Sequence, residues 1–94
     1  MRELAWHSSF IRAFKKCTKK NSQLKIDIET TLELLQEDPY NPMLKTHKLH
    51  GNLNDCWACC IDFDNRIVFT FATNPDTEEE IIALIDIGTH DEVY

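Results

Sequence analysis

Between Leu44 and Phe71 the chain reads LKTHKLHGNLNDCWACCIDFDNRIVFTF and gathers most of its reactive side chains. Lys45, His47, Lys48 and His50 come first, then Cys56, Cys59 and Cys60, then Asp62, Asp64 and Arg66. An imidazole changes charge near neutral pH and can take up or release a proton, while lysine and arginine neutralise anions, arginine through a planar fork. A further imidazole, His90, sits in the tail GTHDEVY. Thr89 and Glu92 there have the spacing of a capping box, which predicts one helical turn with His90 as its first residue. A helix start disfavours the imidazolium, leaving a neutral ring suited to accepting a proton. The plainer alternative is a surface histidine in a capped terminus.

Cys56-x-x-Cys59, with Cys60 adjacent, raises the question of zinc. On a strand, positions 56 and 59 point to opposite faces, and the second ligand pair of a structural site is missing at the usual spacing. These cysteines therefore read as small buried apolar residues, ahead of a metal site or a thiol nucleophile paired with histidine.

Placing the reactive groups falls to the strands around them. Trp57, Cys59, Ile61 and Phe63 alternate with Cys56, Ala58, Cys60 and Asp62, and Ile67, Phe69 and Phe71 alternate with Arg66, Val68 and Thr70. That is the period of two of half-buried strands, with one oily face and one mixed face bearing Cys60, Asp62 and Arg66. Asp64-Asn65 between the runs tolerates a left-handed backbone and predicts a two-residue hairpin turn joining antiparallel neighbours. A strand carrying Lys45, His47, Lys48 and His50, ended by Gly51, is expected just upstream, so that cations and imidazoles converge on one face.

Earlier in the chain, residues 2–6 read as a short edge strand. Phe10, Phe14 and Cys17 fall at helical spacing after Ser8 or Ser9 as N-cap, with Arg12, Lys15, Lys16, Lys19 and Lys20 on the other side. Asn21 breaks this helix, and Ser22 is expected to cap a second, whose stripe of Leu24, Ile28, Leu32 and Leu35 runs on until Asp38, pushed out of helix by Pro39. After a polar connection, a last strand is expected from Ile81 to Ile87, ended by Gly88. The order predicts an α+β fold in which a two-helix hairpin packs on one face of a mostly antiparallel sheet of about four strands, leaving the other face open.

At 94 residues, with 43% hydrophobic and 28% charged side chains, the chain has the size and composition of one globular domain spanning 1–94. No apolar run approaches a bilayer span or a signal peptide, so a cytoplasmic protein with thiol cysteines and no membrane association is expected. The net charge of −6 is unevenly spread: seven of the ten Lys and Arg lie in residues 1–25, where Glu3 is the only acid. A basic first helix can face phosphate while the remainder stays acidic, although a solvated helix face accounts for the lysines equally simply.

LKTHKLHG, followed by CWACCIDFDNRIVFTF and closed by LIDIGTHDEVY, resembles the RelE/ParE superfamily of bacterial toxin–antitoxin toxins, in particular its RelE/StbE or YafQ-like branch. The resemblance covers nearly the whole chain and implies a RelE-like fold. It also implies a ribosome-dependent mRNA endonuclease that inhibits translation without a metal or other cofactor and is held inactive by a cognate antitoxin. By that resemblance His47, Asp64 and His90 correspond to the implicated histidine, carboxylate and terminal Gly-Thr-His of YafQ-like toxins. Arg66 before Ile67-Val68-Phe69 is similar to the arginine of related YoeB-like toxins that would hold phosphate. His47 and His90 are then the acid–base pair, Asp64 orients a histidine or the substrate, and Lys45 and Lys48 hold flanking phosphates. Cys60, Trp57 and Asn65 stand where the YafQ pattern has His, Arg and Trp. The alternative implied by the same superfamily is a non-catalytic toxin such as a ParE-like gyrase inhibitor.

Overall fold

The computed structural model describes residues 2–50 and 55–89. Strand β1 (Glu3–Trp6) is followed by helices α1 (Ser8–Thr18) and α2 (Ser22–Glu37), a 3-10 turn (Pro42–Leu44), and strands β2 (His47–Lys48), β3 (Trp57–Cys60), β4 (Asn65–Thr73) and β5 (Glu80–Thr89). They form a five-stranded sheet in the order β1-β5-β4-β3-β2. Only the β1–β5 pairing is parallel; β5–β4, β4–β3 and β3–β2 are antiparallel. Among the described residues no helix is long and apolar enough to cross a membrane.

Both helical stripes do what their spacing requires. Phe10 from α1 and Leu24, Ile28, Leu32 and Leu35 from α2 meet Cys59, Ile67, Phe69, Ile82 and Leu84 from the sheet in one buried cluster. Trp6 adds edge-to-face contacts with Phe10 and Phe14 at 5.0 and 5.7 Å. The caps differ from expectation by one position each. His7, not Ser8 or Ser9, precedes α1 and makes no side-chain cap. Ser9 is instead drawn to the sheet, where its hydroxyl donates to the Ile85 carbonyl at 2.6 Å. At α2 it is Asn21 that caps, its side-chain oxygen accepting from the Leu24 amide at 3.0 Å, and Ser22 is the first helical residue. Asn and Ser are nearly equal as caps, so the choice between neighbours is made by chain direction and not by side-chain type.

The last strand is longer than expected, running through Gly88 to Thr89. A register shift opposite Val68 and Phe69 makes this possible: Val68 faces Asp86 while Phe69 faces Leu84, leaving Ile85 as an extra residue. This bulge changes which positions point to the helices, so that Ile82, Leu84 and Ile87 all reach the main cluster. Ile85 packs with Leu49, Ala58 and Val68 on the opposite face. That face, expected to be open, thus carries a small apolar cluster of its own. Conversely, the strand expected before Gly51 shrinks to His47 and Lys48, because the 3-10 turn ends at Lys45 in the left-handed region, φ 51°.

Candidate functional site

Strand register decides which reactive groups share a face. His47 pairs with Ala58 and Ala58 with Val68, so all three side chains lie on the face away from the helices. Cys60 and Arg66 pair one step along the same strands and share that face. His47 is therefore on β2 and Arg66 on β4, two interstrand spacings apart across the sheet and two residues apart along it, roughly 12 Å in all. Lys48 pairs with Trp57, whose ring packs toward the helix side, and so projects from the face opposite to His47. Lys45 lies at the left-handed end of the 3-10 turn and His50 is exposed beyond β2; neither is in a strand. Gly51, His90 and the Thr89/Glu92 capping box with its His90 helix start fall wholly or partly outside the described residues; Thr89 itself is the last residue of β5.

The imidazole of His47 is oriented by the backbone two residues earlier, Nδ1 lying 2.9 Å from the Lys45 carbonyl. A carbonyl only accepts, so the neutral ring carries its proton on Nδ1 and its lone pair on Nε2, the nitrogen a general base uses. The left-handed turn at Lys45 brings that carbonyl within reach, which ties the ring's tautomer to a local backbone conformation.

Between β3 and β4 the turn lies a few residues before the expected position, with consequences for the site. The expected turn at Asp64-Asn65 is a loop over residues 61–64, and Asn65 already belongs to β4. Its organiser is Asp62. One oxygen, Oδ1, accepts from the amides of Asp64 and Asn65 at 2.9 and 2.8 Å and from the Asn65 side chain at 3.0 Å. Partial burial pushes the Asp62 carboxyl up, but the Asn65 side chain, the Asn65 and Asp64 amides and the Arg66 charge together pull harder, and it settles below the ordinary carboxylate value. Asp64, the expected carboxylate, is exposed at the end of this loop. Three Asp or Asn residues within four positions could each have made the turn, and only the path of the backbone selects one.

Arg66 closes the loop from the other side. Its Nη1 donates to the carbonyls of Asp62, Asn65 and Phe63 at 2.6, 3.0 and 3.1 Å. Its side-chain hydrogen bonds to these three carbonyls, among the described residues, all run through this one nitrogen, so the Nε–Nη2 edge remains for an anion. Cys60, opposite Arg66, donates its thiol to the Asp62 carbonyl at 3.0 Å. The ring of Phe63, expected on the oily face, is instead 90% exposed.

All four cysteines are free, as expected of thiols. Cys56 packs on the Leu49 cluster and Cys59 is buried in the main one, so the two do face opposite ways. Burial, and secondarily the proximity of Cys60, pushes the Cys59 thiol up to about 12, which keeps it a neutral core group. Among the described residues no three His, Cys, Asp or Glu side chains come together as a metal site. A cleft of about 390 Å³ lies between α1 and the ends of β4 and β5, with Lys16, Asn65 and Asp86 in its lining; neither His47 nor Arg66 borders it.

Comparison with known proteins bears on this arrangement. The sequence matches, over residues 2–94, the family model described as the bacterial toxin of type II toxin-antitoxin system, YafQ. No curated protein matches it by sequence. In fold it is similar to YafQ from E. coli strain BL21(DE3), at 14% identity and TM-score 0.75, covering 100% of this chain and 99% of that one. It is similar to the YoeB/ParE toxin from Agrobacterium tumefaciens, at 17% identity and TM-score 0.75, covering 94% and 98%. The E. coli DinJ-YafQ complex gives a likeness of the same size, 14% identity with TM-score 0.75 over 100% and 99%. Two helices against a five-stranded, mostly antiparallel sheet is the architecture these chains share.

Proposed function

Since the chain belongs to the YafQ family of bacterial type II toxin–antitoxin toxins, we propose that it is a ribosome-dependent mRNA endonuclease that stops translation, acting as a single RelE-like domain in the cytoplasm. The observation that carries this reading is the placing of His47 and Arg66 on one sheet face, the first with its Nδ1 held at the Lys45 carbonyl and the second with one guanidinium edge unused among the described residues.

The reaction is an attack by a ribose 2′-OH on the adjacent phosphorus. A base removes the hydroxyl proton, an acid protonates the departing 5′-oxygen, and a cation stabilises the added charge on the phosphoryl oxygens. His47 and His90 form the acid–base pair, in either order. Arg66 clamps the phosphate, and its fixed Nη1 means that little conformational entropy is lost when the other edge binds. Asp64, at the exposed end of the loop, orients a histidine or the substrate. Lys45 and Lys48 hold flanking phosphates; because Lys48 projects from the far side of β2, the strand it grips passes around that edge. These groups complete the proton and charge balance without a metal ion or other cofactor.

The partners that follow are the ribosome with its mRNA, and a cognate antitoxin. The E. coli YafQ that this fold resembles is found in complex with DinJ, and a protein from the same operon is expected to bind and silence this chain in the same manner. Expression without that partner should arrest growth and produce breaks within translated frames, read by primer extension. Arrest with intact mRNA and trapped gyrase–DNA complexes would place the chain with the ParE-like, non-catalytic toxins.

A further inference from the structure

Of the phenylalanines in this chain, Phe10 and Phe69 are fully buried, Phe14 and Phe71 pack against the main cluster, and Phe63 is 90% exposed. A phenyl ring left in water forgoes roughly 1.5–3 kcal/mol of burial, and on a slack loop it would fold back onto the nearest apolar surface. Here the backbone on both sides of it is pinned. The Asp62 carboxylate holds the amides of the next two residues after Phe63, and Arg66 Nη1 holds the Phe63 carbonyl itself at 3.1 Å. The loop is thus ordered around a ring that it does not bury.

That ring stands beside the guanidinium assigned to phosphate, since the same Nη1 bonds the carbonyl of the residue bearing the ring. Ring and clamp belong to residues three apart that share this hydrogen bond, which keeps them within roughly three residue lengths, about 10 Å, close enough for one nucleotide and its neighbour to reach both. Exposed aromatic rings next to a cation bind single strands through the π-face that every base presents, and a ring carried on an already ordered backbone requires no ordering of the loop on stacking.

We propose that Phe63 is a nucleobase platform: an RNA base stacks on its ring while the neighbouring phosphate lies on Arg66. The proposal rests on the endonuclease reading for its biological role, where Phe63 sets the position of the nucleotide beside the cut. Its test does not depend on cleavage. A short oligoribonucleotide with every ribose 2′-O-methylated, so that it cannot be cut, carries 2-aminopurine as a fluorescent base. The full chain should bind it with a fluorescence change, Phe63→Ala should weaken binding by about 5–100-fold, the range for losing one base–aromatic stack, and Phe63→Tyr should retain it. An end-labelled oligonucleotide abasic at the reporter position, followed by anisotropy, should bind wild type and Phe63→Ala alike.

Equal affinity of wild type and Phe63→Ala for the base-bearing strand overturns the proposal, as does an equal loss on the abasic one or no binding by wild type at all. It is overturned as well if Phe63→Ala leaves RNA binding intact and instead releases the antitoxin, which would make the ring a protein contact. Stacking without mRNA breaks in cells leaves the platform standing and removes the nuclease; breaks without any dependence on Phe63 do the reverse.

Discussion

On the helix side of the sheet, eleven buried residues from both helices, the 3-10 turn and three strands form one contiguous cluster, whereas the far side has Leu49, Ala58 and Val68 with Cys56 and Ile85 against them. The first face holds the chain together. The second has less apolar surface to bury and gives its remaining positions to His47, Cys60 and Arg66. Neighbouring residues of one strand thus serve different ends: Ile67 and Phe69 are core, and Arg66 is not. Strand alternation separates the core from the proposed chemistry at single-residue intervals, so substitutions on the two faces should fail in distinguishable ways.

The largest effect is expected on the chemical side. His47→Ala and His90→Ala should each slow cleavage by about 10²–10⁴-fold, the range for loss of a general acid or base, with melting curves that overlay wild type. His50→Ala, exposed and outside the strand, should leave the rate within a few-fold. A ribosome assay with purified variants decides this, and wild-type rates for His47→Ala would detach the far face from catalysis.

The helix side should answer in stability. Phe69→Ala removes a fully buried ring and should cost about 3–5 kcal/mol; Val68→Ala, its neighbour on the far face, should cost about 1–2 kcal/mol. Chemical denaturation measures both, and equal losses would erase the asymmetry.

A smaller effect is expected at the loop. Asp62→Ala strips the Asp64 and Asn65 amides of their acceptor and should cost about 1–2 kcal/mol, while Asp64→Ala should be close to neutral in stability and show its effect only in cleavage. The same carboxylate has a pH signature. Its folded pKa lies below the unfolded one, so its contribution is fully present above the unfolded value of about 3.9 and lost as pH falls through the folded value. Amide exchange at Asn65, followed below about pH 4 against an amide of α2, should show the loop loosening first. The smallest change is Glu78→Gly. Glu78 holds φ 62° in an exposed turn, and glycine there should add about 0.5–1 kcal/mol.

The sequence made the helix side legible because burial repeats: every residue of the stripe Leu24, Ile28, Leu32 and Leu35 is core, and the alternation of β3 and β4 assigned Cys59, Ile67 and Phe69 correctly. On the far face the register that aligns His47 with Ala58 and Val68 is a long-range property, invisible to local pattern. Turn chemistry was legible in composition but not in position, since Asp62, Asp64 and Asn65 are interchangeable on paper and only one has its oxygen where the amides point. The Ile85 bulge was hidden for the same reason: one extra residue leaves an apolar run looking like an ordinary strand.

The parallel pairing of β1 with β5 sets the order in which the protein can come into being. Among the described residues β1 pairs only with β5, and Phe10 of α1 shares its core with Ile82 and Leu84. A ribosome making this chain therefore releases its first strand and first helix long before the strand they must dock on has been synthesised. Until residues 80–89 are made, the helices can meet only the β3 and β4 part of their core and β1 has no strand to pair with, and closing so long a loop is slow. A toxin built this way cannot complete its sheet until β5 has been synthesised.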